Sequence, residues 1–297
     1  MSDKDKTKDI NQPDSSRRKF MLATALSATT LATGLNIPQA SAAAKNTKRI
    51  GNKRVAILVD TETHMMPALA REMVRRGHNL VIGNAAKGLA DELKKMGAEV
   101  EEVRGRLDLT KASSVQKLVK AAKKRFGGVD SACIRTGSHT TGTIMDITTA
   151  DAQSLYEGNM LSTIYALQAL LKPMLAQGSG QIVINTSATG LRPSAAAAMY
   201  SACRAGANML MRSAAITAAP KGVTINATGT YAMNYPGFLD DIGWEDPKVQ
   251  KAVLEDLPLH RLVEPEQAAH FVATLIDGVG TAQTGQFFSI DNGWAFQ

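Results

Sequence analysis

The sequence predicts a single α/β domain of three layers, in which helices cover both faces of a doubly wound parallel sheet. Three observations predict it. Short β-branched runs such as Ile182-Val183-Ile184 are apolar without alternation, as strands buried on both faces are. They alternate with amphipathic stretches of helix length, several closed by glycine. The 297 residues, 44% of them hydrophobic, suffice for one sizeable core and show no internal repeat.

The elements follow in order from Arg54. Residues 55–59 read as a strand, 67–76 as a helix ending before Gly77, 79–82 as a strand and 86–96 as a helix ending at Gly97. A strand over 100–103 leads to a helix over 115–126, stopped by Gly127-Gly128, and to a fourth strand over 129–134. A long helix over 152–176 carries Asn159. Strand 181–186, helix 199–219, strand 224–227, helix 265–277 and strand 286–290 complete the domain. Strands separated by helices pair in parallel through right-handed crossovers. The segments 138–146 and 234–244 read as loops.

Residues 1–43 stand apart from this pattern. Asp14-Ser15-Ser16-Arg17-Arg18-Lys19-Phe20-Met21 is a twin-arginine string, followed by an apolar run over 22–35 and the small-residue signal Ala40-Ser41-Ala42. This reads as a twin-arginine signal peptide ahead of a domain over 50–297, and the expected location is periplasmic or secreted. The blander readings are a basic tail or a membrane anchor. The apolar run is too short and too rich in Thr and Ser to span a bilayer, so no stable membrane insertion is expected.

The formal charge is +7. Residues 1–43 hold Lys4, Lys6, Lys8, Arg17, Arg18 and Lys19 against Asp3, Asp5, Asp9 and Asp14, so two of those charges leave with the signal. The rest is scattered, with Lys94-Lys95 and Lys123-Lys124-Arg125 on outer helix faces, which argues for solvated surface and against a nucleic-acid partner. Cys133 falls on a strand and Cys203 on a helix, so both read as buried thiols. The five histidines are dispersed, and no Cys or carboxylate pairs recur at ligand spacing, so no metal site is expected.

Strand 181–186 delivers Ser187 to the carboxyl end of the sheet, where open parallel sheets place their sites. Tyr200 and Arg204 are four apart among good helix formers, which puts both on one helix face with the guanidinium beside the phenol. A fixed positive charge there favours the phenolate. This serine, tyrosine and base at their spacing resemble the short-chain dehydrogenase/reductase pattern, over nearly everything after the signal segment. The fold the resemblance implies is Rossmann-like.

Two features set the chain apart from the oxidoreductases of that superfamily. Those enzymes carry lysine where this sequence has Arg204, and a planar guanidinium does not replace a compact ammonium. After the first strand an ordinary member has a glycine-rich turn, through which the backbone approaches a pyrophosphate. Here the turn is Asp60-Thr61-Glu62-Thr63-His64-Met65-Met66-Pro67, with no glycine. The second strand ends in Gly83-Asn84, without the acidic residue that takes a ribose hydroxyl.

A Ser-Tyr-Arg set resembles the halohydrin dehalogenases, a cofactor-free branch of the superfamily. The likeness extends to Thr186-Ser187-Ala188-Thr189-Gly190, Arg204-Ala205-Gly206-Ala207-Asn208, Tyr235-Pro236-Gly237-Phe238-Leu239 and Thr284-Gly285-Gln286-Phe287-Phe288. It implies a lyase without a cofactor. Ser187 would hold the substrate oxygen, and Tyr200, assisted by Arg204, would take the hydroxyl proton as a vicinal leaving group departs and an epoxide closes. Asn159 is the supporting helix asparagine. The halide-pocket positions of that branch fall on Val59, His64 and Met66, which depart from its pattern. His64 reads either as an anion-holding donor or as an inert loop residue, and Tyr231 either as a pocket tyrosine or as core.

Two rivals stay open. One is an oxidoreductase acting on an alcohol or ketone with NAD(P) bound tightly enough to be carried through export. The other is a binding protein that kept the fold. The substrate on any enzymatic reading is a small molecule. Resemblance further implies a homotetramer built on the helices that carry Asn159 and Tyr200, with the aromatic end around Trp294 either completing a neighbour's pocket or packing at home.

Overall fold

The computed structural model describes residues 51–135 and 137–296; the expected signal peptide lies outside them. Strands β1 (Val55–Leu58), β2 (Asn79–Gly83), β3 (Val100–Val103), β4 (Ser131–Arg135), β5 (Gly180–Asn185), β6 (Val223–Thr230) and β7 (Phe287–Ile290) form one sheet. Its order is β3-β2-β1-β4-β5-β6-β7, and every pairing is parallel. The expected doubly wound Rossmann-like sheet is present. The order reverses at β1, which pairs with β2 on one side and β4 on the other. A crevice therefore opens between the carboxyl ends of β1 and β4, because the chain leaves these two strands toward opposite faces.

Alternation along the strands builds a core on each face. Val55, Ile57 and Val59 point to one side, and there meet Leu118 and Phe126 of α3 (Ala112–Phe126), Leu170 of α5 (Ser162–Gln177) and Met211 of α6 (Ala198–Ala218). Ala56 and Leu58 point to the other. There they meet Leu69 and Met73 of α1 (Met66–Arg75), Leu93 of α2 (Leu89–Lys95) and Val272 of α9 (Pro265–Ile276).

Two departures from the expected elements shape the site. The helix expected as continuous over 152–176 begins at α4 (Thr149–Tyr156), capped by Thr148 and Asp151, and widens into a π-helical turn over Glu157–Leu161 before α5. Ser162 Oγ donates to the Gly158 carbonyl at 2.5 Å and Thr163 Oγ1 to the Asn159 carbonyl at 2.7 Å, so hydroxyls serve the carbonyls that the wide turn leaves. The segment read as a loop over 234–244 contains α7 (Pro236–Ile242), and α8 (Pro247–Glu255) follows it. Neither buries any residue completely.

Candidate active site

A cavity of about 480 Å³ opens at the carboxyl ends of the central strands, beneath α7. Ser187, Tyr200, Arg204, His64 and Tyr231 all line it. Asn159 lies behind the lining, fully buried. Val59 and Met66 are core residues instead, at 1% and 0% exposure.

Ser187 leaves β5 in an extended conformation and caps the short turn Ala188–Gly190. Its Oγ accepts from the Thr189 amide at 3.2 Å and from Thr189 Oγ1 at 3.0 Å. β6 runs hard against it. A Cβ on Gly229 would stand 2.6 Å from the Ser187 carbonyl carbon, so only glycine allows this strand spacing.

Tyr200 sits in the first turn of α6 and Arg204 one turn on, as the spacing predicts. The Arg204 guanidinium covers the Tyr200 ring, with Cζ 4.9 Å from the centroid, so the contact is cation–π. His139 meets the same ring edge-on, its centroid 4.8 Å away. Arg204 is 5% exposed and lies against Gly137, whose φ is +140°. A side chain at 137 would run into Arg204 Nη2 and would come within 3.2 Å of Asn159 Oδ1. Asn159 Nδ2 donates to the Ser138 carbonyl at 3.0 Å and to the Leu155 carbonyl at 2.8 Å, which fixes the loop after β4 to the π-helical turn.

His64 occupies the turn after β1 with φ +61°. Its Nε2 is 3.1 Å from Thr230 Oγ1, and its ring meets Tyr235 edge-on at 5.2 Å. Burial, reinforced by the guanidinium charges of Arg135 and Arg204, pushes the imidazole from 6.5 down to about 3. It is therefore neutral at ordinary pH, a hydrogen-bonding group of the pocket wall. Tyr231 stacks on Trp294 at 4.0 Å, and the Arg192 guanidinium carbon lies 4.5 Å from the Trp294 ring centroid. Trp294 Nε1 donates to Asp256 Oδ2 at 2.7 Å. The C-terminal segment thus packs behind Tyr231, which lines the cavity.

Among the lining residues that the sequence analysis missed, three carry titratable or charged groups close to the site centre. Arg135 ends β4 and pairs with Asp60 at 2.5 Å. His139 follows in the next loop, and Asp241 comes from α7. Burial lowers His139 and Asp241 partly restores it. Arg135 had a legible signal, a charge at the end of an apolar strand run; the other two depend on loop paths.

A dinucleotide would meet two different environments here. At the substrate end Ser187, Tyr200 and Arg204 surround open volume. At the diphosphate end the turn does not fit as a glycine cradle fits. The Thr61 amide is bonded to the Gly83 carbonyl at 3.0 Å and the Met66 amide to the Thr63 carbonyl at 3.3 Å, while Met65 and Met66 are wholly buried beside them. Asp60 places a carboxylate at the turn's start.

A seven-stranded parallel sheet with a Ser-Tyr-base set at its carboxyl edge defines a class, and comparison with known proteins agrees. The chain belongs to the short-chain dehydrogenase/reductase superfamily: a family model described as enoyl-(acyl carrier protein) reductase matches residues 66–295. It is 28% identical to cis-4-hydroxycyclohexanecarboxylate dehydrogenase of Sinomonas cyclohexanicum, over 82% of this chain and 96% of that protein. It is 26% identical to a 3-oxoacyl-[acyl-carrier-protein] reductase of Staphylococcus epidermidis, over 76% and 92%. The solved structure of ElxO with NADP bound superposes with a TM-score of 0.75 at 21% identity, over 83% of this chain and all of that one, a likeness of fold.

These findings overturn the expected halohydrin dehalogenase. The relatives are dehydrogenases and reductases, so the lyase and epoxide chemistry is withdrawn, and so is the expected independence of a cofactor. The physical reason for the error is that a serine–tyrosine pair on this sheet edge serves both chemistries. Arg204 and the missing glycines were read as deciding between them.

Proposed function

We propose that this chain is an NAD(P)-dependent short-chain oxidoreductase that interconverts an alcohol and a ketone on a small molecule. The observation that carries the reading is the convergence of Ser187, Tyr200 and Arg204 on one cavity at the carboxyl edge of the sheet. The names of the relatives support the reaction class. In this reading the Ser187 hydroxyl donates to the substrate oxygen and Tyr200 Oη exchanges the proton with it. Arg204, over the ring, holds Tyr200 in register, and Asn159 anchors the loop that carries Gly137. His64 and Tyr231 are pocket walls. The dinucleotide is the redox partner.

Residues 1–43 we assign to twin-arginine export ahead of the domain over 50–297, on the strength of Ser16-Arg17-Arg18-Lys19-Phe20 and Ala40-Ser41-Ala42. A homotetramer is supported by the exposed apolar side chains of Met209 and Ile216 on α6 and of Tyr156 on α4. No helix among the described residues is long and apolar enough to cross a membrane. The test is mass analysis of nucleotides released on denaturing the purified protein, together with oxidation of NADH and NADPH in the presence of cyclic and acyclic ketones. Released or bound dinucleotide with ketone-dependent turnover is expected; turnover of ketones without any dinucleotide would sink the reading.

A further inference from the structure

A serine hydroxyl has one hydrogen to donate and two lone pairs to fill, and its surroundings decide which of them meets a ligand. At Ser187 both lone pairs are taken by a single residue. The Thr189 amide donates to Ser187 Oγ at 3.2 Å, and Thr189 Oγ1 donates to it at 3.0 Å. An amide can only donate, and the β-branched Thr189 side chain has few rotamers in which to aim its hydroxyl elsewhere. Both residues are buried and both line the cavity, so little water competes for these bonds. The one hydrogen of the Ser187 hydroxyl is left to face the cavity.

The turn that makes this arrangement is pinned to the helix that carries Tyr200. The Gly190 amide donates to the Ser187 carbonyl at 3.0 Å and the Leu191 amide to the Ala188 carbonyl at 2.9 Å, which closes the turn. Thr186 Oγ1 donates to Asn208 Oδ1 of α6 at 2.8 Å, and a Cβ on Gly190 would stand 2.9 Å from the Arg204 carbonyl carbon. Serine and tyrosine are therefore set from one frame. With its lone pairs filled, Ser187 Oγ cannot take up the Tyr200 proton, and two donors stay available to one acceptor, a substrate oxygen.

We propose that Thr189 is a positioning residue, which fills both lone pairs of Ser187 Oγ and so fixes Ser187 as a hydrogen-bond donor to the substrate oxygen. The site then selects an acceptor at this point, a ketone carbonyl and the oxyanion that develops from it. The proposal rests on the oxidoreductase reading above for the substrate, while the polarity of the hydrogen bonds stands on the turn itself.

The test is a double-mutant cycle on the full chain, with Thr189→Val, Ser187→Ala and both together, and with Thr189→Ser as the conservative variant. The readout is kcat/KM for reduction of cyclohexanone and of acetone by NADH and NADPH, with thermal unfolding measured on each protein. Thr189→Val keeps the shape and removes one donor, and should lower kcat/KM about fivefold, the worth of one neutral hydrogen bond. Thr189→Ser should restore it, and adding Thr189→Val to Ser187→Ala should cost nothing more. A Thr189→Val protein as active as wild type, or an equal loss on the Ser187→Ala background, would overturn the proposal and leave the oxidoreductase reading standing. Neutron diffraction from deuterium-exchanged crystals of the wild type reads the polarity without turnover. A Ser187 deuterium aimed into the cavity is expected, and one aimed at Thr189 Oγ1 would overturn the proposal. Should the wild type reduce neither cyclic nor acyclic ketones, the oxidoreductase reading falls and the neutron map alone decides the role of Thr189.

Discussion

Tyr200 is held from two sides, by the Arg204 guanidinium over its face and by the His139 ring at its edge. With the phenol oxygen as the proton carrier, Tyr200→Phe should lower turnover about 10²–10⁴-fold while leaving the melting temperature nearly unchanged, a pairing that calorimetry and steady-state kinetics check together. Gly137 is the residue on which that arrangement depends. Its φ of +140° and the guanidinium against it leave no room for a methyl group. Gly137→Ala should destabilise the fold by about 1–3 kcal/mol, measured by urea unfolding, and should disturb Tyr200 through Arg204. His64 makes a prediction about pH. Its folded value of about 3 lies below its ordinary 6.5, so between the two the unfolded chain binds a proton that the folded chain refuses. Stability therefore rises with pH through that window and is lost as pH falls. In His64→Gln the slope of unfolding free energy against pH between those values should be shallower, and an unchanged slope would refute the burial argument.

Among the elements, what could be read from the sequence was whatever is buried on both faces or amphipathic. The β1, β2, β4 and β5 runs are continuous apolar stretches, and their helices end at glycines with positive φ such as Gly127. β6 was read short because Thr228 and Gly229 break off its apolar run; they are buried against β5 and the Ser187 turn instead. α7 and α8 were missed because both begin at a proline and neither has a fully buried side. Their packing is long-range, through Phe238, Leu239, Trp244 and Leu254 against a small cluster around Trp294. The site was half legible for the same reason. Ser187, Tyr200 and Arg204 lie on elements whose period places them, whereas His139 and Asp241 reach the pocket on segments without one. Trp294 is 4% exposed and joins these segments to Tyr231 and Asp256. Trp294→Ala should cost about 3–5 kcal/mol in thermal unfolding and raise KM more than it lowers kcat, since it removes the support behind the pocket wall Tyr231 without touching Tyr200.

At the scale of the molecule, one sheet does two things. Its reversal of order at β1 creates the crevice, and its carboxyl edge gathers residues distant in sequence, from His64 through Arg135 and Ser187 to Tyr231, around one cavity. The exposed apolar positions Met209 and Ile216 lie away from that cavity, on the outer side of α6. If they are an assembly surface, light scattering should give about four times the chain mass, and Met209→Lys with Ile216→Lys should lower it. The central claim concerns the cavity, and the most direct measurement is the rate of NADPH or NADH oxidation with a ketone substrate, by wild type and by Tyr200→Phe at matched dinucleotide saturation. Ketone-dependent oxidation that falls at least a hundredfold in Tyr200→Phe is the expected result. Equal rates in the two proteins, or a wild type that binds dinucleotide and oxidises none of it with any ketone, would contradict the assignment of this site.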